Sequence, residues 1–153
     1  DYKETVKWLK LSAEQGYAGG QKNLGLMYFK GQGVPKDLKK AFKWFRLSVE
    51  QGDESAQYKL GFMYYKGQGV PQDYKEAVRL YHLSAGQGFV SAQINLGMMY
   101  EEGTGVSQDY VSAHMWWNIC GSGEDEDCVT FRNIVETKMS PSQIKKAQDM
   151  ALN

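Results

Sequence analysis

The sequence predicts an all-α protein, more specifically an α/α solenoid of stacked helix pairs. Three observations lead to this prediction: an internal repeat of 36 residues, apolar residues at helical spacing, and glycines where the helices would end. A helix pair of this length cannot bury its apolar face alone. Stacked repeats solve the problem because each pair packs against its neighbours.

The repeat is visible without gaps. GQGVPKD at 31–37 returns as GQGVPQD at 67–73 and as GTGVSQD at 103–109, and 18 of the 36 aligned positions in 17–52 and 53–88 are identical. Asp1 aligns with Asp37, so we expect the chain to begin inside a repeat, as a piece of a longer protein. We predict a single domain over 1–153, composed of a truncated repeat (1–16), three repeats (17–52, 53–88 and 89–120) and a C-terminal cap (121–153).

Each repeat contains two predicted helices, which we call A and B. In the first full repeat, Leu24 and Tyr28 lie four residues apart on one face of helix A, and Gly25 between them permits a close neighbour. Gly31 is expected to end helix A and Asp37 to cap helix B. The tryptophans of the B helices are expected to pack between neighbouring helices; they are Trp8, Trp44, Trp116 and Trp117.

The cap ends in a further predicted helix. Ser140 is expected to be its N-cap, followed by Pro141 in the first turn and by Gln143 three residues after Ser140. The polar residues of this helix are expected to face water; they are Gln143, Lys145, Lys146, Gln148 and Asp149.

The composition argues against two classes of partner. Lys plus Arg and Asp plus Glu both number 18, whereas a nucleic-acid-binding protein usually has a net basic surface. No apolar run approaches the roughly 18 residues of a membrane-spanning helix, so we predict no membrane insertion. Residues 1–52 carry 10 basic and 5 acidic residues, and residues 101–153 carry 4 basic and 9 acidic residues. Two interpretations stay open: solvated faces that merely differ, or a polarised surface that orients an elongated partner.

No catalytic constellation emerges from the sequence. His82 and His114 are the only histidines and are expected to be packing or surface residues. Ser142 and Lys145 match a Ser-x-x-Lys pattern, but on a solvated end helix without the accompanying motifs. The GQG loops lack the Lys-Ser/Thr of a phosphate loop, and the acidic run 124–127 lacks the ligand spacing of a calcium loop. We therefore predict no enzyme activity, no metal and no cofactor.

The repeated pattern LG-x-MY-x-x-G-x-GV-x-x-D-x-x-x-A resembles the Sel-like repeat family, which is related to the tetratricopeptide repeats. This resemblance covers almost the whole chain. It implies a right-handed superhelix of antiparallel helix pairs that serves as an adaptor or scaffold, with helices A lining the concave face. Arg132 and Asn133 stand where a fourth Leu-Gly would be expected, which argues against a fourth binding unit.

The resemblance also suggests where a protein or peptide partner would bind. The residues of helices A that lie off the buried stripe mix aromatic, aliphatic and charged side chains, as binding surfaces do. An alternative is that several of them simply pack between helices. The predicted partner-binding residues are Lys22, Leu26, Phe29, Lys30, Tyr58, Phe62, Tyr65, Lys66, Ile94, Met98, Glu101 and Glu102.

Cys120 and Cys128 align with Ser48 and Ala56, at facing positions across the turn of the proposed hairpin. Their spacing resembles the disulfide of the cysteine-rich bacterial members of the family. A bridge would favour a periplasmic or secreted bacterial protein. The alternative is two free thiols in a reducing cytosol, so a cytoplasmic location stays open.

Two further functions remain as alternatives. One is a cell-envelope protein that binds a ligand or has weak hydrolase-type activity, as proposed for cysteine-rich relatives; the other is a structural spacer. We expect a monomer, with association through the apolar N-terminal end as the alternative.

Overall fold

The computed structural model describes residues 1–153 and is all-α, as predicted. It contains nine helices and no strands, and 73% of the residues are helical. The helices are α1 (Tyr2–Glu14), α2 (Ala18–Lys30), α3 (Leu38–Glu50), α4 (Glu54–Lys66), α5 (Tyr74–Gly86), α6 (Val90–Glu102), α7 (Tyr110–Gly121), α8 (Glu126–Glu136) and α9 (Pro141–Ala151). Helices A are α2, α4, α6 and α8, and helices B are α1, α3, α5 and α7. None of the nine has both the length and the apolar composition needed to cross a bilayer.

The helices begin and end where the repeated polar and glycine residues predict. The Asp37 carboxylate accepts a hydrogen bond from the backbone N–H of Lys40 at 3.0 Å, which satisfies one of the unpaired donors at the start of α3. Gly31 ends α2 in the left-handed conformation, with φ of 70°. At the last helix, Ser140 and Gln143 form a capping box before Pro141. The expected caps are thus confirmed.

Residues Asp1–Leu80 form one compact unit, here called unit 1. Within it α2 packs against α1 and α3, and α3 packs against α4. The buried side chains at its centre include Leu24, Phe45 and Met63. A Cβ atom on Gly25 would lie 2.8 Å from the Phe45 ring, so glycine at this position allows α2 and α3 to approach closely.

Residues Tyr81–Asn153 form the second compact unit, unit 2. Here α7 packs against α6, α8 and α9. Its core includes Trp117 and Val135, together with a disulfide between Cys120 and Cys128 whose Cα atoms are 5.8 Å apart. This bridge joins α7 to α8 and confirms the pairing that the family resemblance implied.

The tryptophan prediction is correct for the later helices and wrong for the first. Trp117 is only 1% exposed, and Trp44 is partly buried against the core of unit 1. Trp8, in contrast, is 61% exposed. Its indole Nε1 instead donates to Glu4 Oε1, one turn earlier on the same helix, at 3.1 Å.

The water-facing prediction for α9 is confirmed. All five of the polar residues named above are exposed, and only Ala147 of this helix is buried. A polar outer face of this kind is typical of a capping helix in a repeat protein.

Candidate functional site

On α2, the predicted partner-binding residues divide into anchored and free ones. Lys22 Nζ lies 3.5 Å from Asp53 Oδ2, and both side chains are largely buried. Leu26 and Phe29 pack against the core of unit 1. Lys30, at the end of the helix, is exposed. The packing alternative therefore applies to part of this set.

On α4, aromatic rings and a lysine form a continuous surface. Phe62 meets Phe29 edge to face, with the ring centroids 6.5 Å apart. Lys66 Nζ lies 5.9 Å from the centre of the Phe62 ring and 5.5 Å from that of Tyr65. Such contacts attract a cation weakly when they are exposed to solvent, so they hold the ammonium group without neutralising it.

Lys59 belongs to the same surface and was missed by the sequence analysis. Its Nζ lies 5.4 Å from the centre of the Tyr58 ring. Burial lowers the pKa of Lys59, and the positive charge of Lys30 lowers it further. One signal could have found it: Asn23 and Asn95 occupy the same repeat position, so only the middle repeat carries a charge there.

These side chains define what we call the basic-aromatic patch of unit 1: Phe29, Lys30, Lys59, Phe62, Tyr65 and Lys66. None of the ion pairs in the structure involves its three lysines. The patch thus presents cations and rings together, with no acidic side chain bound to the cations.

On α6, the predicted residues meet a different environment. Ile94 packs against the core of unit 2, and its carbonyl accepts a hydrogen bond from Trp117 Nε1 at 3.3 Å. Met98 and Glu102 are exposed. Glu101 is engaged by the chain itself, since Lys138 Nζ donates to its Oε1 at 2.8 Å.

The Glu101–Lys138 contact is reinforced by a ring. Lys138 Nζ lies 5.7 Å from the centre of the Tyr110 ring. The hydrogen bond to Glu101, together with the negative charge of that carboxylate, raises the pKa of Lys138. A residue between α8 and α9 therefore holds one of the side chains that the sequence assigned to a partner.

His82 is a packing residue, as expected. Its Nε2 is 2.8 Å from the Tyr100 hydroxyl, and its ring stands edge to face on both Tyr100 and Trp116, with 5.7 Å between centroids in each case. Burial lowers the pKa of His82. Burial also raises the pKa of Tyr100, and the charge of Asp109 adds to that shift.

His114 is fully buried and has a partner that the sequence analysis did not identify. Its Nε2 lies 2.7 Å from Glu136 Oε1. The repeat register offered a signal: His114 aligns with Phe42 and Glu136 aligns with Tyr64. The Phe42 and Tyr64 rings are in contact, with centroids 5.7 Å apart.

The Ser-x-x-Lys pattern does not form a nucleophile and base pair. Ser142 is exposed, and its hydroxyl lies 3.0 Å from the hydroxyl of Ser140. No group of three or more His, Cys, Asp or Glu side chains is arranged to hold a metal ion. The basic-aromatic patch is thus the best-defined candidate site.

Comparisons with known proteins give a consistent picture. The Sel1 repeat model matches residues 1–17, 18–53, 54–89 and 90–119. A Sel1 repeat protein from Oxalobacter formigenes is 34% identical, with a TM-score of 0.80 over 85% of this chain and 54% of that one. A protective antigen of uropathogenic Escherichia coli with an SLR fold is 30% identical, with a TM-score of 0.72 over 95% of this chain and 39% of that one.

The fold is also shared at lower identity. Helicobacter pylori cysteine rich protein B is 19% identical, with a TM-score of 0.68 over 85% of this chain and 93% of that one. No curated protein sequence matches the chain. The chain spans about half or less of the length of the first two relatives.

Proposed function

Because the chain belongs to the Sel1 repeat family, whose members are generally protein-interaction modules, we propose that it binds a peptide or partner protein through the exposed faces of its helices A. The observation that carries this proposal is the basic-aromatic patch of unit 1. Its rings are partly exposed, and its lysines have no acidic partner in the chain. Aromatic side chains in such a setting supply much of the binding energy at protein interfaces.

The rings and the lysines of the basic-aromatic patch have different roles in this proposal. Phe62 and Tyr65 provide apolar area, and both are braced from within unit 1, by Phe29 and by Tyr74 respectively. Braced rings lose little conformational freedom on binding, which favours affinity. Lys30 and Lys66 form the charged rim that orients the partner.

The α6 face contributes less in this proposal. Met98 and Glu102 are available, whereas Ile94 packs into unit 2 and Glu101 is held by Lys138. We assign the main contact to unit 1 for this reason, and regard Met98 and Glu102 as secondary contacts.

A pull-down from the source organism's extract tests the proposal. The chain is compared with Tyr58→Ala/Phe62→Ala/Tyr65→Ala and with a control, Trp8→Ala/Tyr17→Ala, which removes two exposed aromatic rings from α1 and the turn after it. We expect a protein that both the unaltered chain and the control retain and that the α4 variant loses. Equal retention by all three, with the α4 variant folded by circular dichroism, would contradict the helix A assignment.

We also propose an oxidising compartment, namely the periplasm or the outside of a bacterial cell. The support is the disulfide between Cys120 and Cys128, since such bonds persist where thiols are not kept reduced. Alkylation of the protein in intact cells, followed by mass spectrometry, should find both sulfurs blocked from reaction. Two alkylated thiols would place the protein in a reducing compartment.

A further inference from the structure

Of the lysines of the basic-aromatic patch, Lys30 belongs to the basic part of the chain, since residues 1–52 carry 10 basic and 5 acidic residues. Two other cations of unit 1 face carboxylates: Lys22 faces Asp53 and Arg46 faces Glu50. In the patch, Lys59 and Lys66 rest against rings. Lys30 follows Phe29 on α2 and Lys59 lies three residues before Phe62 on α4, so both lysines lie beside the contact between these two rings. The positive charge of Lys30 also lowers the pKa of Lys59.

Two cations held close together without an anion repel each other, and the partial burial of Lys59 reduces the screening by water. Carboxylates bound beside them would reduce the repulsion and would accept hydrogen bonds from the ammonium groups. Each ammonium has three donors, and the ring contacts of Lys59 and Lys66 use the charge without supplying an oxygen acceptor.

We propose that Lys30 and Lys59 bind carboxylate side chains of an acidic segment in the partner protein. This inference rests on the proposed function and names the chemistry of the partner. The neighbouring rings of Phe62 and Tyr65 would contact an apolar residue of the same segment, so the segment combines acidic residues with an apolar anchor.

An acidic polypeptide fits the patch better than a nucleic acid does. The rings of Phe29 and Phe62 meet edge to face, and those of Tyr65 and Tyr74 are tilted at 5.3 Å, so their faces are partly covered by one another. Single-stranded nucleic acids need open ring faces on which bases stack. Glutamate and aspartate side chains need only the cations.

To test this proposal, random dodecapeptides displayed on yeast are selected for binding to the full chain. The enriched peptides are then labelled with fluorescein, and their affinities for the chain are measured by fluorescence anisotropy. We expect peptides rich in Glu and Asp around one apolar or aromatic residue. Lys30→Glu/Lys59→Glu should bind them at least about tenfold more weakly at low salt, a loss of about 1.4 kcal/mol. The difference should shrink as salt screens the charges.

The matched control is Lys39→Glu/Lys43→Glu, which makes the same charge change at exposed positions on α3. It should leave the affinity within about twofold. Lys30→Gln/Lys59→Gln, which adds no negative charge, should show an intermediate loss of affinity. That result would show that the weaker binding does not come only from repulsion by the introduced glutamates.

Several results would overturn the proposal. If the enriched peptides lack acidic residues, or the two charge-reversed variants weaken binding equally, the carboxylate assignment is wrong. If such peptides still depend on Phe62 and Tyr65, the helix A binding function stands without it. Tighter binding of a fluorescein-labelled single-stranded oligonucleotide than of any peptide would identify a nucleic acid as the ligand, and no enrichment by any version would overturn both proposals.

Discussion

The pair α3–α4 of unit 1 and the pair α7–α8 of unit 2 occupy the same place in the repeat but are joined by different interactions. Where Phe42 and Tyr64 bring two rings together in unit 1, His114 and Glu136 form a hydrogen-bonded pair in unit 2. Cys120, whose disulfide joins α7 to α8, aligns with Ser48, whose hydroxyl donates to the Ala18 carbonyl of α2 at 3.0 Å and so does not join α3 to α4. The ring contact and the hydroxyl hydrogen bond of unit 1 are thus replaced in unit 2 by a hydrogen-bonded pair and a covalent bridge.

The outer surfaces of the two units differ in the same sense. Lys66 and Lys138 are separated by two repeat lengths and so share a register. Lys66 rests on rings and forms no ion pair, whereas Lys138 binds Glu101. In unit 2, the lysine at this register position therefore links the segment between α8 and α9 to α6.

Loss of the disulfide is expected to have the largest effect on stability. Cys120→Ala/Cys128→Ala should lower the free energy of unfolding of unit 2 by about 2–3 kcal/mol, because the unfolded chain regains the freedom of the closed loop. Hydrogen exchange should accelerate in α7 and α8, with α2 and α3 unchanged. The matched change in unit 1, Ser48→Ala, should cost only about 1 kcal/mol, the value of one hydrogen bond. Equal costs at both positions would mean that the bridge stabilises unit 2 no more than a single hydrogen bond would.

The next largest effect concerns the hydrogen bond between His114 and Glu136. Glu136→Leu should lower the stability of unit 2 by about 1–3 kcal/mol, because it leaves the buried His114 Nε2 without its acceptor. His114→Phe/Glu136→Tyr should recover most of this loss in urea unfolding by rebuilding the ring contact of Phe42 and Tyr64. If the single change is neutral, the hydrogen bond contributes nothing to holding the two helices.

The smallest effect is a pH dependence that unit 2 should show. The pKa of His82 is lowered by burial, so between the folded value and the unfolded value of about 6.5 the unfolded chain binds the proton more readily. Stability should therefore fall as the pH is lowered through this window, by at most about 1.4 kcal/mol per pH unit.

His82→Phe isolates this effect in urea unfolding at pH 7.5 and pH 5. The variant should lose less stability on acidification than the unaltered chain, and its hydrogen exchange in α2 and α3 should be the same at both pH values as that of the unaltered chain. An identical acid response in the two proteins would assign the pH dependence to other groups.

Much of the fold could be predicted because the residues that recur in each repeat mark where the helices begin and end. Gly31 and Asp37 mark helix ends by local backbone chemistry, which is readable from sequence. The repeat register marks Lys59, His114 and Glu136 as departures from the other repeats, but the contacts that these side chains make depend on the tertiary structure. The exposure of Trp8 depends on tertiary packing, which the local pattern does not contain.

The sites were predictable only in outline for a similar reason. The register indicates which residues of a helix A point away from the Leu-Gly-Tyr stripe, but not whether another part of the chain covers them. Phe29 reaches from the core of unit 1 to its surface, and Glu101 is held by a residue 37 positions away. Both facts follow from tertiary packing rather than from propensity.

Binding of the partner to the helix A face of unit 1 is tested most directly by photo-crosslinking. A photoreactive residue is placed in turn at Tyr65, at the register-matched Glu101 of unit 2, and at the exposed Lys43 on α3. After irradiation in the organism's extract, we expect one protein to be captured strongly from position 65, weakly from position 101 and not from position 43. Capture from position 43 with none from position 65 would contradict binding through this face.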